Sequence, residues 1–174
     1  MNGIRPKLLI FINTLQTGGA ERVVSLLLNH LKDDFEIHLA LYSNIIDYTI
    51  PPEIKIVDLK QPLLQNKVIR FLKLPQISLK IYRYCKKNGI NNSVAFLYRP
   101  CYINAMMKTL WGYRGHVIMC EGTHQTTMQE SHSVIYRMFS KFMVMYSYKR
   151  ADLILADGWW EQPAPGGAAD ELWT

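Results

Sequence analysis

The sequence predicts an α/β fold, a Rossmann-like doubly wound parallel sheet, on the basis of three observations. Strand-sized apolar runs alternate with segments whose apolar residues recur at helical spacing. The first run, Lys7–Leu15, is apolar almost throughout, as expected for a strand buried on both faces of a parallel sheet. A glycine-containing turn, Gln16–Gly19, joins this strand to the first helical segment. Alternation of this kind indicates right-handed crossovers and a doubly wound sheet.

Six strands are predicted in chain order, with helical segments between them. The strands are expected at Lys7–Leu15, Phe35–Tyr42, Ile54–Leu59, Ser93–Tyr98, His116–Cys120 and Asp152–Ala156. The helices are expected at Ala20–Leu31, Asn66–Asn88, Tyr102–Trp111 and Val134–Lys149. Pro75 is expected to break the second helix and Gly89 to end it. Glu21 falls in the first turn of the first helix, where a carboxylate suits the positive end of the helix dipole.

The composition is that of one ordinary domain. A chain of 174 residues that is 49% apolar is long enough to bury a core and is not typical of a disordered protein. It has no apolar run near the roughly 20 residues that span a bilayer, and its first residues lack a signal-peptide pattern, so the cytoplasm is expected. The cysteines at 85, 101 and 120 form no C-x-x-C pair, which favours small buried thiols over a disulfide framework or a zinc ribbon.

The net charge of +6 is concentrated in two segments. Residues 66–88 carry seven basic residues and no acid, and residues 134–150 carry four and no acid. In the first segment, Lys67, Arg70 and Lys73 alternate with large apolar side chains, which favours a helix on a membrane surface. The same features can bind nucleic acid, but no nucleic-acid motif is present. The second segment is apolar on all sides, which favours a core helix whose basic side chains reach solvent.

Residues 158–174 differ from the rest of the chain. They are rich in glycine, alanine and proline, contain two adjacent tryptophans and carry no basic residue. Residues 1–157 are therefore expected to form the domain, and residues 158–174 an atypical tail, non-native or disordered. A linker or peptide motif is the other interpretation of this tail.

The turn after the first strand is the first candidate site. Thr17, Gly18, Gly19 and Arg22 lie at the carboxyl edge of the predicted sheet, where ligands bind in doubly wound folds. Glycines let a backbone approach a ligand closely, and the free N–H groups at a helix start attract an anion. The full G-x-G-x-x-G dinucleotide pattern is absent. The turn therefore predicts a phosphate site, or else a tight turn that only packs a helix on a strand.

Three strings resemble the N-terminal domain of family 4 GT-B glycosyltransferases. Leu8–Leu31 contains G-G-A-E-R between an apolar strand and an amphipathic helix, which is similar to the opening of these enzymes. Val94–Pro100 followed by Ile118–Glu121 is similar to a later pair of strands, and Tyr148–Ala156 to the strand that closes the domain core. The resemblance extends from about Lys7 to Asp157 and is weakest across residues 60–90.

The resemblance implies one half of a two-domain transferase. Residues 1–157 would be the acceptor-side domain, and the loop at Gly18 and Gly19 would face the donor diphosphate. The complete enzyme would transfer a sugar from a nucleotide-sugar to a lipid-linked or polysaccharide acceptor at the inner face of a membrane. Retention of configuration is implied, without a bound metal or other cofactor. The donor-binding C-terminal domain has no counterpart in residues 158–174, so the chain alone is expected to be inactive.

Glu121 and His124 form the second candidate site, after the fifth strand. A carboxylate and an imidazole at the carboxyl edge could orient acceptor hydroxyls or act as a catalytic base. The family often has S-E-[HR]-N here, and this chain departs from it at Cys120, Gly122 and Thr123. The alternative is that Glu121 caps the loop and His124 is an exposed polar residue.

Two further interpretations concern metals and alternatives to catalysis. His116, His124 and His132 recur every eight residues, but no pair has the spacing of a helical metal site, so no metal is expected. A Rossmann-like module that binds a nucleotide, lipid or protein partner without catalysis stays open as an alternative. So does a truncated product without a function of its own, because the fold alone does not separate these cases.

Overall fold

The computed structural model describes residues 5–62, 71–121, 142–143 and 145–156, with the backbone alone at positions 121 and 156. The strands in this part are β1 (Lys7–Ile12), β2 (Glu36–Leu41), β3 (Lys55–Asp58), β4 (Asn92–Phe96), β5 (His116–Glu121) and β6 (Leu153–Ala156). The helices are α1 (Gly19–Leu31), α2 (Leu74–Asn88) and α3 (Tyr98–Trp111). Residues 142–143 and 145–148 are also helical, and the earlier part of the helix predicted at Val134–Lys149 lies outside the described residues.

The strands form a single parallel sheet in the order β3-β2-β1-β4-β5-β6. The chain builds outward from β1 to β3, returns to place β4 beside β1, and then builds outward to β6 on the other side. This reversal between β1 and β4 is the topological switch point of a doubly wound sheet. The fold class predicted from the sequence is confirmed.

Each face of the sheet is covered by helices, which explains why β1 is apolar almost throughout. Leu9 and Phe11 are buried on the face that carries α2 and α3. Ile10 and Ile12 are buried on the other face, against α1. From α1, Leu28 is completely buried in this second cluster. Full burial of a side chain of this size stabilises the fold by roughly 1.5–3 kcal/mol.

Several boundaries predicted from the sequence are wrong. β4 ends at Phe96, two residues before its predicted end at Tyr98. β1 ends at Ile12, because the chain turns there and Leu15 forms only an isolated parallel bridge with Ile46. α3 begins at Tyr98, four residues before its predicted start. Pro100 falls in the first turn of α3, where a proline is tolerated because its missing N–H would have no partner within the helix.

α2 and α3 each end at a glycine in the left-handed backbone conformation. Gly89 has a φ of 66°, and its N–H is directed at the carbonyls of Cys85 and Lys86, which confirms the predicted helix stop. Gly112 has a φ of 67° at the end of α3. A side chain at either position would be strained in this conformation. Pro75 is the second residue of α2, so the predicted interruption falls just before the start of this helix.

The cysteines are free thiols. Cys85 and Cys101 are buried, as predicted, whereas Cys120 is half-buried. Burial raises the pKa of the Cys85 thiol to about 12, so this thiol is unreactive at neutral pH. Within the described ranges, no helix is long and apolar enough to cross a membrane. Residues 158–174, predicted as a tail, lie outside the described residues.

Candidate functional site

β1 and β4 end side by side at the carboxyl edge of the sheet. Phe11 pairs with Ala95 in the parallel register, so Asn13 and Leu97 occupy neighbouring positions just beyond the two strands. The connections that leave these strands diverge, because α1 covers one face of the sheet and α3 the other. In doubly wound folds ligands bind in the crevice between two such connections. This switch point is therefore the candidate site.

The turn at Gly18 and Gly19 forms the β1 side of the switch point. Gly18 is extended, with a φ of −178°, and its carbonyl accepts the first helical hydrogen bond of α1 from the Arg22 N–H at 3.0 Å. Gly19 is exposed, and a Cβ built on it would meet no atom of the described residues within 4 Å. Thr17 and Arg22 are exposed as well. The start of α1 therefore has open space beside it, as an anion site requires.

A carboxylate of the chain itself lies at this helix start. A Cβ built on Gly18 would collide with the carboxylate of Glu21, which folds back over the turn. The backbone conformation of Gly18 is open to any residue, and the collision involves the end of a flexible side chain, so a larger residue here would displace the Glu21 carboxylate. A first-turn acid is favoured by the positive end of the helix dipole. An incoming phosphate would compete with Glu21 for the same positive potential.

The loop after β2 braces the glycine turn. The Leu15 N–H donates to the Ile45 carbonyl, and the Asp47 N–H donates to the Leu15 carbonyl, both at 2.9 Å. The Asp47 carboxylate accepts the Thr17 N–H at 3.1 Å, and the Tyr48 hydroxyl lies 3.5 Å from the Gly18 carbonyl. The sequence reasoning missed Asp47 and Tyr48, because nothing in their own pattern indicates which turn they contact.

Arg99 forms the β4 side of the switch point. Its guanidinium carbon lies 5.9 Å from the centroid of the Tyr42 ring and 5.2 Å from that of the Tyr98 ring. Tyr42 directly follows β2 and is completely buried. Leu97, the residue before α3, has a φ of 69° and a ψ of 158°, a conformation that non-glycine residues rarely adopt. Arg99 was also missed, although it belongs to the string Val94–Pro100 that carries part of the family resemblance.

Comparisons with known proteins relate this chain to glycosyltransferases. The chain is similar to the N-acetylgalactosamine-N,N'-diacetylbacillosaminyl-diphospho-undecaprenol 4-alpha-N-acetylgalactosaminyltransferase of Campylobacter jejuni. The identity is 39% over 150 residues, which cover 86% of this chain and 40% of the relative. In sequence and in fold, the chain is similar to GT-B glycosyltransferases. It spans about two fifths of the length of this curated relative, consistent with the predicted N-terminal half of a GT-B enzyme. No protein-family model matches the chain.

Solved structures of low sequence identity share the fold of this GT-B domain. Sucrose-phosphate synthase from Thermosynechococcus elongatus has a TM-score of 0.65 at 10% identity, over 86% of this chain and 42% of that protein. The lipopolysaccharide outer core galactosyltransferase WaaB has a TM-score of 0.55 at 14% identity, over 86% of this chain and 38% of that protein. In both structures the match covers less than half of the larger protein.

The second candidate site and the basic segment are described only in part. The backbone of Glu121 ends β5 at the carboxyl edge and pairs with Ala156, whereas His124 lies outside the described residues. Lys73 is half-buried immediately before α2, and the other predicted membrane-surface residues, Lys67 and Arg70, lie outside the described residues.

Only one of the three histidines considered as metal ligands lies in the described part of the chain. His116 is exposed at the start of β5, on the amino edge of the sheet, and His124 and His132 lie outside the described residues. Over residues 5–62, 71–121 and the described part of 142–156, no three His, Cys, Asp or Glu side chains come together as a metal site.

Titratable groups with shifted pKa values lie towards the amino edge of this GT-B domain. Burial lowers the pKa of His38, whose ring is hydrogen-bonded to the Tyr84 hydroxyl at 2.7 Å and lies 3.3 Å from a Glu36 carboxylate oxygen. Burial alone would raise the pKa of Asp152, but hydrogen bonds from Lys108 and a backbone N–H outweigh it and lower that pKa. In the described part of the chain, the switch point presents the starts of α1 and α3 together with Arg22 and Arg99.

Proposed function

We propose that this chain is the acceptor-side domain of a family 4 glycosyltransferase that moves a sugar from a nucleotide-sugar to a lipid-linked acceptor, with retention of configuration. The observation that carries the proposal is the open turn at Gly18 and Gly19, at the carboxyl end of β1 and the start of α1. The Campylobacter relative supports a lipid-linked acceptor, because its name describes a substrate on diphospho-undecaprenol. A growing polysaccharide is the other acceptor class that the family resemblance implies.

In the complete enzyme, the turn would stabilise the departing diphosphate of the donor. Negative charge develops on this group as the glycosidic bond breaks, and fixed dipoles and N–H groups aimed at that charge lower the barrier. The amino end of α1 carries the equivalent of about half a positive charge. Arg22, one turn into α1 and exposed, would add a full charge. The Glu21 carboxylate would have to swing away from Gly18 as the diphosphate enters, because like charges repel.

The other functions would be divided between a second domain and further parts of this one. Nucleotide recognition would reside in a second Rossmann-like domain, so this chain alone would not transfer sugar. No metal or other cofactor is assigned a role, because helix dipoles and arginines would offset the charge of the diphosphate. The basic segment with Lys67, Arg70 and Lys73 would rest on the cytoplasmic face of a membrane, where a lipid-linked acceptor is presented. Glu121 and His124 would line the acceptor path from β5.

A chimera tests the proposed activity. Residues 5–156 replace the matching segment of the Campylobacter transferase, and transfer of N-acetylgalactosamine to its lipid-linked acceptor is measured by chromatography. Transfer by the chimera, together with no transfer by the isolated chain, is the expected result. A control chimera with Gly19→Val should be folded by circular dichroism but strongly impaired. A folded chimera without transfer, or an isolated chain that transfers sugar, would contradict the proposal.

A binding measurement separates this proposal from a self-sufficient binding module. The isolated chain is titrated with UDP-sugars in a calorimeter, and no submillimolar affinity is expected, because the donor site would lie in the other domain. A short-chain analogue of the lipid-linked acceptor is titrated in parallel and is expected to bind. Submillimolar binding of a UDP-sugar would favour the module that binds a nucleotide without a partner domain.

A further inference from the structure

Arg99 is held in a fixed position at the switch point by two aromatic rings. Its guanidinium lies over the faces of Tyr42 and Tyr98, with centroid distances of 5.9 and 5.2 Å. Tyr42 is completely buried at the end of β2, so it cannot follow a mobile side chain. A cation over an aromatic face is attracted by the electrons of the ring and forms no conventional hydrogen bond with it. The rings therefore attract the cation without using its hydrogen-bond donors.

These donors have no protein partner in the described part of the chain. Within residues 5–62, 71–121 and the described part of 142–156, Arg99 makes no hydrogen bond or ion pair. The first turn of α3, in which it lies, contains no acidic residue. Arg99 is nevertheless half-buried, and a partly desolvated cation at the positive end of a helix is unfavourable unless an anion accompanies it.

We infer that Arg99 binds a phosphate of a diphosphate ester at the β4 side of the switch point. Its planar fork of N–H donors matches the geometry of phosphate oxygens, and the start of α3 adds positive potential of the same sign. This site is distinct from the glycine turn, because it belongs to the helix on the opposite face of the sheet. The inference rests on the proposed function for the identity of its ligand.

The diphosphate ester has two possible sources, the lipid-linked acceptor and the nucleotide-sugar donor. The position of Arg99 favours the acceptor, since the proposed donor diphosphate already faces the start of α1. Three probes distinguish the sources, namely geranyl diphosphate for a lipid diphosphate, UDP for a nucleotide diphosphate, and inorganic pyrophosphate for the shared group. Each is titrated calorimetrically into the 174-residue chain, and neither probe nor readout requires sugar transfer.

Substitution of Arg99 should weaken the binding of these probes, whereas substitution of an arginine far from the switch point should not. Arg99→Gln is expected to lower the affinity for geranyl diphosphate and pyrophosphate by about tenfold to a hundredfold, as for the loss of a charge-assisted hydrogen bond. Arg99→Lys is expected to recover part of the loss, because it restores the charge but not the planar fork. Arg114→Gln is the matched control, since it removes the same charge from an exposed position at the amino edge and should change affinity less than twofold.

A chemical measurement on the unaltered chain makes the test independent of variant folding. Phenylglyoxal modifies accessible arginines, and mass spectrometry follows each site with and without pyrophosphate. Pyrophosphate is expected to protect Arg99 and not Arg114. A larger loss for UDP than for geranyl diphosphate in Arg99→Gln would place the site on the donor. The inference is overturned if the chain binds none of the probes at millimolar concentration, or if Arg99 is neither protected nor required. Because these readouts involve no transfer, an inactive chimera would count against the proposed function alone.

Discussion

Replacing Gly19 by alanine separates a structural role of the glycine turn from a role in binding substrate. Gly19 is the first residue of α1, and its φ is not in the left-handed region. A Cβ at this position would meet no atom of the described residues within 4 Å, so alanine fits without strain. If the open space exists for a diphosphate, the added methyl group should obstruct the ligand while leaving the fold intact.

The expected changes in stability and activity have opposite signs. Alanine restricts the unfolded chain more than glycine does, and at a compatible position this stabilises a protein by roughly 0.4–1 kcal/mol. For a domain of this size, the melting temperature should rise by about 1–4 °C. Transfer by the Gly19→Ala chimera should fall at least tenfold in kcat/KM, which corresponds to about 1.4 kcal/mol of lost transition-state stabilisation.

Gly112→Ala provides the matched control, because Gly112 has a φ of 67° and lies at the amino edge. Alanine in this conformation costs roughly 1–2 kcal/mol, so this variant should be less stable and yet transfer sugar normally once folded. The melting temperature is measured by circular dichroism on the isolated chain, and kcat/KM on the chimera. A Gly19→Ala chimera that keeps its activity within twofold would show that no substrate group approaches this turn.

Three further outcomes are expected. Asp47→Ala should reduce stability by less than about 1 kcal/mol but lower chimera activity several-fold, because the Thr17 N–H would lose the carboxylate that fixes the glycine turn; unchanged activity would exclude this bracing role. Burial lowers the pKa of His38, so its stabilising contribution is present above the unfolded value of about 6.5 and is lost as the pH falls. His38→Gln should therefore flatten the dependence of melting temperature on pH between 7 and 5. If the melting temperature of the variant fell as steeply with pH as that of the unaltered chain, His38 would not be the cause of the dependence. Charge reversal of the predicted membrane-surface residues Lys67, Arg70 and Lys73 should reduce co-sedimentation of the chain with anionic liposomes. Unchanged sedimentation would refute the hypothesis of a membrane surface.

The liposome and pH experiments need controls of matched chemistry. Charge reversal at three exposed basic residues of α2, Lys80, Lys86 and Lys87, changes the charge of the same segment by the same amount. A surface that acts only through net charge would respond equally to both sets. For the pH experiment, His116→Gln removes an exposed imidazole at the amino edge and serves as the matched control.

The sheet could be predicted because its pattern is local in the sequence. A strand buried on both faces must be apolar throughout, and β1 with its two buried faces has this pattern. The start of α3 could not be located, because Tyr98 and Pro100 suit a strand and its end as well as the first turn of a helix. In the structure β4 pairs with β1 and ends at Phe96, so the chain leaves the sheet there and residues 98–100 begin α3.

The site could be predicted only where it is contiguous in the chain. The glycine turn follows its strand directly, so its place at the carboxyl edge followed from the strand assignment. Asp47, Tyr48 and Arg99 lie on other connections of the chain. The pairing of the parallel strands brings these connections to the same edge of the sheet. The position of the Glu21 carboxylate beside Gly18 is a further feature of the turn that the sequence did not indicate.

Two helix starts at one switch point suit a reaction with two diphosphates. A nucleotide-sugar and a lipid-linked sugar each carry about two negative charges on their diphosphates. At a separation of about 10 Å and an effective dielectric constant of about 20, these groups repel by roughly 7 kcal/mol. A domain that offered only the start of α1 would offset little of this repulsion. Arg99 at the start of α3 places a second cation on the other face, so each diphosphate could have its own positive partner. On this assignment, Arg22→Gln should weaken use of the donor and Arg99→Gln use of the acceptor, and loss of the same substrate affinity in both variants would refute it.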